Sequence, residues 1–123
     1  MKKVLIVDDS DMIRNQLKQI VIDQGYECIA ASDGKEGYET FEANPDVSLI
    51  ITDVNMPNLS GLEMVEQIRN LEAGKTVNIF VLTSGEDPDS VQKGKSMGVK
   101  AWIVKPINPE TIKMGLNRFL NTK

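Results

Sequence analysis

Histidine is absent from the 123 residues, and Cys28 is the only cysteine. Those two facts remove Ser–His and Cys–His nucleophilic catalysis, and with them every metal site built on imidazoles or thiolate clusters. A lone thiol forms no internal disulfide, and Cys28, inside the apolar stretch 26–31, reads as a small buried hydrophobe. Positive charge is also scarce. Fourteen Lys and Arg face eighteen Asp and Glu, a net charge of −4 with no basic run, so no cationic surface for nucleic acid is expected. No apolar stretch is long enough to span a membrane, and the run at 4–7 meets Asp8-Asp9 too soon for a signal peptide. A cytoplasmic protein is the expectation. Neither a Walker A motif nor a G-x-G-x-x-G loop is present to cradle a nucleotide.

What remains is the balance of a folded domain: 41% hydrophobic and 26% charged residues, in a length that suits one core. Short apolar runs at 4–7, 26–31, 47–52, 77–82 and 100–104 read as strands. Between them lie stretches with helical spacing. The first carries Ile13, Leu17, Ile20 and Val21 and ends at Gly25, and the second covers 34–43 with Tyr38 and Phe41 inward. The third, after a loop with Pro57 and Gly61, carries Leu62, Val65, Ile68 and Leu71. A fourth spans about 88–97 and a fifth starts near Pro109, with Ile112, Leu116 and Phe119 inward. Gly94 inside the fourth costs about 1 kcal/mol of helix propensity relative to Ala, which makes that helix the weakest. Lys93, Lys95 and Lys100 read as a solvated face. Strict strand–helix alternation with near-continuously apolar strands predicts an α/β fold on a parallel sheet covered on both faces.

In open parallel sheets, ligands collect beyond the carboxyl ends of the strands. The first predicted strand ends in Asp8-Asp9, the third in Asp53, the fourth in Thr83 and the fifth in Lys105. Each has a local explanation by itself: a helix cap for Asp8 or Asp9, a turn for Asp53, a hydroxyl bonded to its own backbone for Thr83, a solvated charge for Lys105. Together they do not, because three neighbouring carboxylates repel unless a cation holds them. Oxygen ligands alone point to Mg²⁺, Ca²⁺ or Mn²⁺. Mg²⁺ commonly completes its shell with water and a phosphate oxygen, and an aspartate is an accepted covalent carrier of a phosphoryl group. Thr83 and Lys105 then supply a hydrogen bond and a positive charge to the oxygens of that group.

The residues 4–10 (VLIVDDS), 52–57 (TDVNMP), 82–84 (LTS) and 104–106 (VKP) resemble, as a set, the receiver domain of response regulators, and the resemblance covers essentially the whole chain. It implies a flavodoxin-like (βα)5 fold with strand order 2-1-3-4-5, helices on both faces, and one receiver domain over 1–123 without an output domain. It implies that Asp53 is the phosphoacceptor and that Asp9 and Asp53 ligate Mg²⁺ directly, with Mn²⁺ as the alternative. Asp8 supports the metal through water, and the main-chain carbonyl of Asn55 completes the protein ligands. Thr83 and Lys105 contact the phosphoryl oxygens, aided by backbone N–H groups near Val54 and Ser84. The phosphoryl group comes from a phosphohistidine of a histidine kinase or a histidine phosphotransfer protein. Such a protein is a regulator that catalyses only its own phosphotransfer and dephosphorylation, rather than an enzyme with an external product. Trp102, three residues before Lys105, stands where the family usually has Tyr, Phe or His that rotates inward on phosphorylation. With the larger ring it is either that switch or a fixed anchor for a partner.

Output is expected through docking of a target protein on the face of the fourth helix, fifth strand and fifth helix, as in chemotaxis regulators. A phosphorelay intermediate, or a receiver excised from a larger regulator, is the alternative. Two other α/β chemistries fit less well. A haloacid-dehalogenase-type phosphatase places a second Asp two residues after its nucleophile, where Asn55 stands here. A flavodoxin-like cofactor binder would bring a flavin phosphate against Asp8, Asp9 and Asp11.

Overall fold

The structure, a computed structural model, describes residues 2–85 and 88–120. The short apolar runs become strands and the 3.6-periodic stretches helices, in strict alternation. The order is β1 (Lys3–Val7), α1 (Asp11–Asp23), β2 (Glu27–Ala31), α2 (Gly34–Ala43), β3 (Val47–Asp53), α3 (Gly61–Arg69), β4 (Asn78–Thr83), α4 (Pro88–Ser96), β5 (Ala101–Val104) and α5 (Pro109–Leu120). All strand pairings are parallel and the sheet order is β2-β1-β3-β4-β5, as expected. Side chains close the helix starts. Ser10 caps α1 by accepting from the Ile13 N–H, Asp33 caps α2 through Glu36, and Ser60 and Glu63 form a reciprocal capping box on α3. Leu71, assigned to α3 from its spacing, lies beyond that helix, which stops at Arg69; a 3₁₀ turn at Ala73–Lys75 follows.

Alternate residues of each central strand feed two separate cores, which is why those strands read as continuous apolar runs rather than as alternation. Val4, Ile6, Leu49, Ile51, Phe80 and Leu82 pack on one side against α1 (Leu17, Ile20, Val21) and α5 (Ile112, Leu116, Leu120). Leu5, Val7, Ile50, Ile79 and Val81 pack on the other against Phe41 of α2 and Met64, Val65 and Ile68 of α3, with Met97, Val99 and Trp102 at the margin. Phe119, expected inward, is half-buried and meets the fully buried Phe80 edge-on at 5.4 Å.

At the edge of the sheet where β4 begins, a single side chain ties several elements together. Arg69 Nε donates to the Met97 carbonyl (2.8 Å), Nη1 to those of Gly74 (2.9 Å) and Val77 (2.8 Å), and Nη2 to that of Gly98 (3.3 Å). Burial lowers the pKa of this guanidinium from its ordinary value, yet the group is permanently charged at any physiological pH, so these are charge-assisted bonds. Among the described residues no helix is long and apolar enough to cross a membrane.

Candidate functional site

At the opposite edge the strand ends bring the expected residues together. β1 stops because Asp8 turns the chain: its Oδ1 accepts the Ser10 N–H at 2.9 Å, and its carbonyl accepts from Arg14 Nη1 at 2.6 Å. Arg14 also pairs with Asp11, so the start of α1 is fastened to the end of β1. Asp8 is wholly buried and Asp53 is 7% exposed, whereas Asp9 faces solvent. Carboxylate oxygens of Asp8, Asp9 and Asp53 lie within 4.8 Å of one another. β3 presents Asp53 with one oxygen already engaged, Oδ1 accepting the Val54 N–H at 2.8 Å.

Lys105, delivered by the end of β5, supplies the countercharge. Its Nζ is 3.2 Å from Asp8 Oδ2 and 3.4 Å from Asp53 Oδ2. Burial and the neighbouring Asp8 charge push the Asp53 carboxyl above its ordinary pKa, against the pull of Lys105 and the Val54 N–H. Burial alone would lower the Lys105 pKa, but the two carboxylates outweigh it and hold the ammonium above its ordinary value. One cation facing two carboxylates, with a third carboxylate nearby, leaves net negative charge. The donor set is all oxygen and anionic, which fits a hard divalent ion such as Mg²⁺ and fits soft metals poorly.

Beside the carboxylates lies a cleft of about 360 Å³ lined by Val54, Asn55, Thr83, Ser84, Gly85, Ser90 and Trp102. Thr83 is buried at the end of β4, and its hydroxyl is engaged locally, donating to the Gly85 carbonyl and accepting the Gly85 N–H at 3.2 Å. Asn55 and Ser84 are exposed on the loops after β3 and β4. Ser90, from the first turn of α4, also lines the cleft. Sequence reasoning passed over it, because a lone serine in a polar helix carries no distinguishing signal.

Trp102 lies half-buried on the α3/α4 side of β5, with its indole edge under α4. A Cβ built on Gly94 would sit 2.3 Å from Trp102 Cζ2, so the glycine that reads as a weakness in α4 is a notch that admits the ring. The indole N–H is buried and has no hydrogen-bond partner among the described residues. Cys28 is part-buried away from this edge, and burial pushes its thiol up to about 11, the behaviour of an inert thiol.

Comparison with known proteins agrees with this arrangement. Residues 4–117 match the family described as the response regulator receiver domain. The chain is 36% identical over 121 residues to chemotaxis protein CheY1 of Helicobacter pylori, covering 98% of each chain. The structure of chemotaxis protein CheY4 of Vibrio cholerae superimposes with a TM-score of 0.90 at 41% identity, covering 98% of this chain and 99% of that one. Response regulator protein TrrA of Thermotoga maritima, solved in complex with Mg²⁺ and a beryllium fluoride, gives a TM-score of 0.85 at 32% identity, covering 98% of this chain and all (100%) of the other.

Proposed function

Because the chain belongs to the response-regulator receiver family, we propose that it is a chemotaxis-type phosphorylation switch that carries its phosphoryl group on Asp53. The observation that carries this reading is the position of the Asp53 carboxylate, 3.4 Å from Lys105 Nζ and grouped with the Asp8 and Asp9 oxygens within 4.8 Å. The donor is a phosphohistidine of a histidine kinase or a histidine phosphotransfer protein. A carboxylate oxygen of Asp53 forms the new P–O bond as the P–N bond breaks, and the electron pair returns to the imidazole nitrogen. Hydrolysis reverses the loading: water attacks phosphorus, the P–O bond to Asp53 breaks, and the carboxylate and inorganic phosphate are released.

The residues have separable tasks. Asp9 and Asp53 offer oxygens to Mg²⁺ directly, Asp8 supports it through water, and the Asn55 carbonyl completes the protein ligands. When bound, the ion neutralises charge on the phosphoryl oxygens and on the carboxylate cluster. Lys105 is placed to exchange part of its interaction with Asp53 for one with a phosphoryl oxygen. Thr83 does the same by giving up its local bond to Gly85, with backbone N–H groups near Val54 and Ser84 helping to hold the phosphoryl oxygens. As the Thr83 hydroxyl turns to the phosphoryl oxygen it leaves part of the cleft it shares with Trp102, and the indole either follows it inward or stays as a fixed anchor for a partner.

Output follows by docking of a target protein on the face of α4, β5 and α5. Support for that surface comes from a cleft lined by Ala101, Ile103, Met114 and Phe119, with Val104 and Met114 exposed at 46% and 71%. The chemotaxis assignment rests on relatives that match across nearly their whole length.

The test is labelling with a small phosphodonor such as acetyl phosphate, with and without Mg²⁺. Mg²⁺-dependent label on the wild type that is lost in Asp53→Asn is the expected result. Undiminished labelling of Asp53→Asn would remove the assignment.

A further inference from the structure

Residues 54–60, between β3 and α3, carry Asn55 and are fastened at two points. The base is closed by the Gly61 N–H, which donates to the Val54 carbonyl at 2.8 Å. The crest is fastened to a different element. Leu59 N–H turns back to the Pro57 carbonyl (2.8 Å), and Asn58 takes φ +70°, a left-handed conformation that Asn tolerates better than most residues. That turn aims the Asn58 amide at the start of α2, where Nδ2 donates to Asp33 Oδ2 at 2.8 Å. It also presses the Leu59 carbonyl onto Gly34, where a Cβ would lie 2.1 Å from that oxygen.

Asp33 therefore has two tasks. Its Oδ1 accepts the Glu36 N–H at 2.8 Å and caps α2, while Oδ2 holds Asn58. The Glu36 N–H first, then the Asn58 amide, keep the Asp33 carboxyl below its ordinary pKa, so it remains an ionised acceptor at neutral pH. Neither the cap nor the glycine requires a loop to be tied down; a serine would cap α2 equally well. The second carboxylate oxygen holds the loop through Asn58. Between the two fastenings lie Asn55, Met56 and Pro57, and the Asn55 side chain is exposed.

We infer that Asp33 and Asn58 are positioning residues for divalent-cation binding, a latch from α2 that holds the Asn55 main-chain carbonyl toward the Asp53 cluster. The inference rests on the reading of that cluster as the Mg²⁺ site. Groups that orient a metal ligand without touching the ion commonly matter about tenfold or more in affinity, whereas a single exposed hydrogen bond contributes little to stability.

Two variants cut the latch while sparing what surrounds it. Asp33→Ser keeps a capping oxygen for Glu36 N–H but loses the second acceptor, and Asn58→Gly keeps the left-handed turn but loses the amide. Mg²⁺ affinity of the metal-free protein is measured by isothermal titration calorimetry, with thermal melting in parallel. Each single variant is expected to weaken Mg²⁺ binding by about tenfold, the double variant no further, and the melting temperatures to stay close to wild type. Wild-type affinity in both singles, or losses that multiply in the double, overturns the latch while leaving the metal site standing. A wild-type protein that binds no Mg²⁺ overturns the site reading itself, and the latch with it.

Discussion

Gly94 and Trp102 occupy one shared volume: the indole edge fills the space where a side chain on α4 would begin, 2.3 Å from an ideal Cβ. Gly94→Ala therefore sets about 1 kcal/mol of gained helix propensity against a steric conflict with a large ring. The expected result is a lower melting temperature and a red shift of Trp102 emission, read without interference because it is the only tryptophan. In a Trp102→Phe background the same Gly94→Ala change should become neutral or stabilising. An equal effect in both backgrounds would show that the two positions do not interact.

Asp53 should make the metal-free protein pH-sensitive. Its folded pKa is raised, by burial first and Asp8 second, so from the unfolded value of about 4 up to the folded value the native state holds the proton more tightly. Stability then falls as pH rises through that window, and the ionised group remains a cost at pH 7. Asp53→Asn should raise the metal-free melting temperature at pH 7 by roughly 2–4 °C and flatten this part of the profile. Mg²⁺ should stabilise the wild type much more than the variant. Thermal melts between pH 4 and pH 7 decide it, and a variant less stable than wild type at pH 7 contradicts the assignment.

Lys105 competes with any cation for the same two carboxylates, at 3.2 and 3.4 Å. Lys105→Ala should therefore bind Mg²⁺ several-fold more tightly in calorimetry, while Trp102 emission should respond less to beryllofluoride if Lys105 contacts the phosphoryl group as proposed. Weaker Mg²⁺ binding in this variant would mean that the ammonium organises the carboxylates rather than opposing the ion.

On the far side of the sheet, Gly115 of α5 lies against the Phe80 ring, where a Cβ would stand only 2.7 Å from Cε2. Phe80 is fully buried and edge-on to Phe119, so the ring has little room to yield. Gly115→Ala should cost about 1–3 kcal/mol in denaturant unfolding, despite the better helix former. A gain in stability would show that the ring rotates away at little cost.

Much of this molecule is legible in one sequence because its two periodicities are clean and its polar residues fall at strand ends. β1, β3, β4 and β5 deliver Asp8, Asp53, Thr83 and Lys105 to one edge, and a parallel sheet has only one such edge. Legibility ends where two segments distant in sequence share space. Nothing about Gly94 identifies it as the complement of Trp102, and nothing about Asn58 points back 25 residues to Asp33. Thr83 illustrates a different limit: its position at a strand end is readable, but nothing in the sequence selects Gly85 as the partner of its hydroxyl. The stop of α3 before Leu71 is equally invisible, since the apolar spacing continues into the turn that Arg69 and the 3₁₀ segment create.

The fork of Arg69 has a mechanical consequence for α4. Two of its four bonds grip the chain just past the helix, at Met97 and Gly98, and the other two grip the approach to β4 at Gly74 and Val77. That end of α4 is pinned to α3, whereas its other end, at Pro88, follows the loop from Thr83. Any displacement of α4 should therefore be smallest at Met97–Gly98, where the Arg69 staple holds the chain.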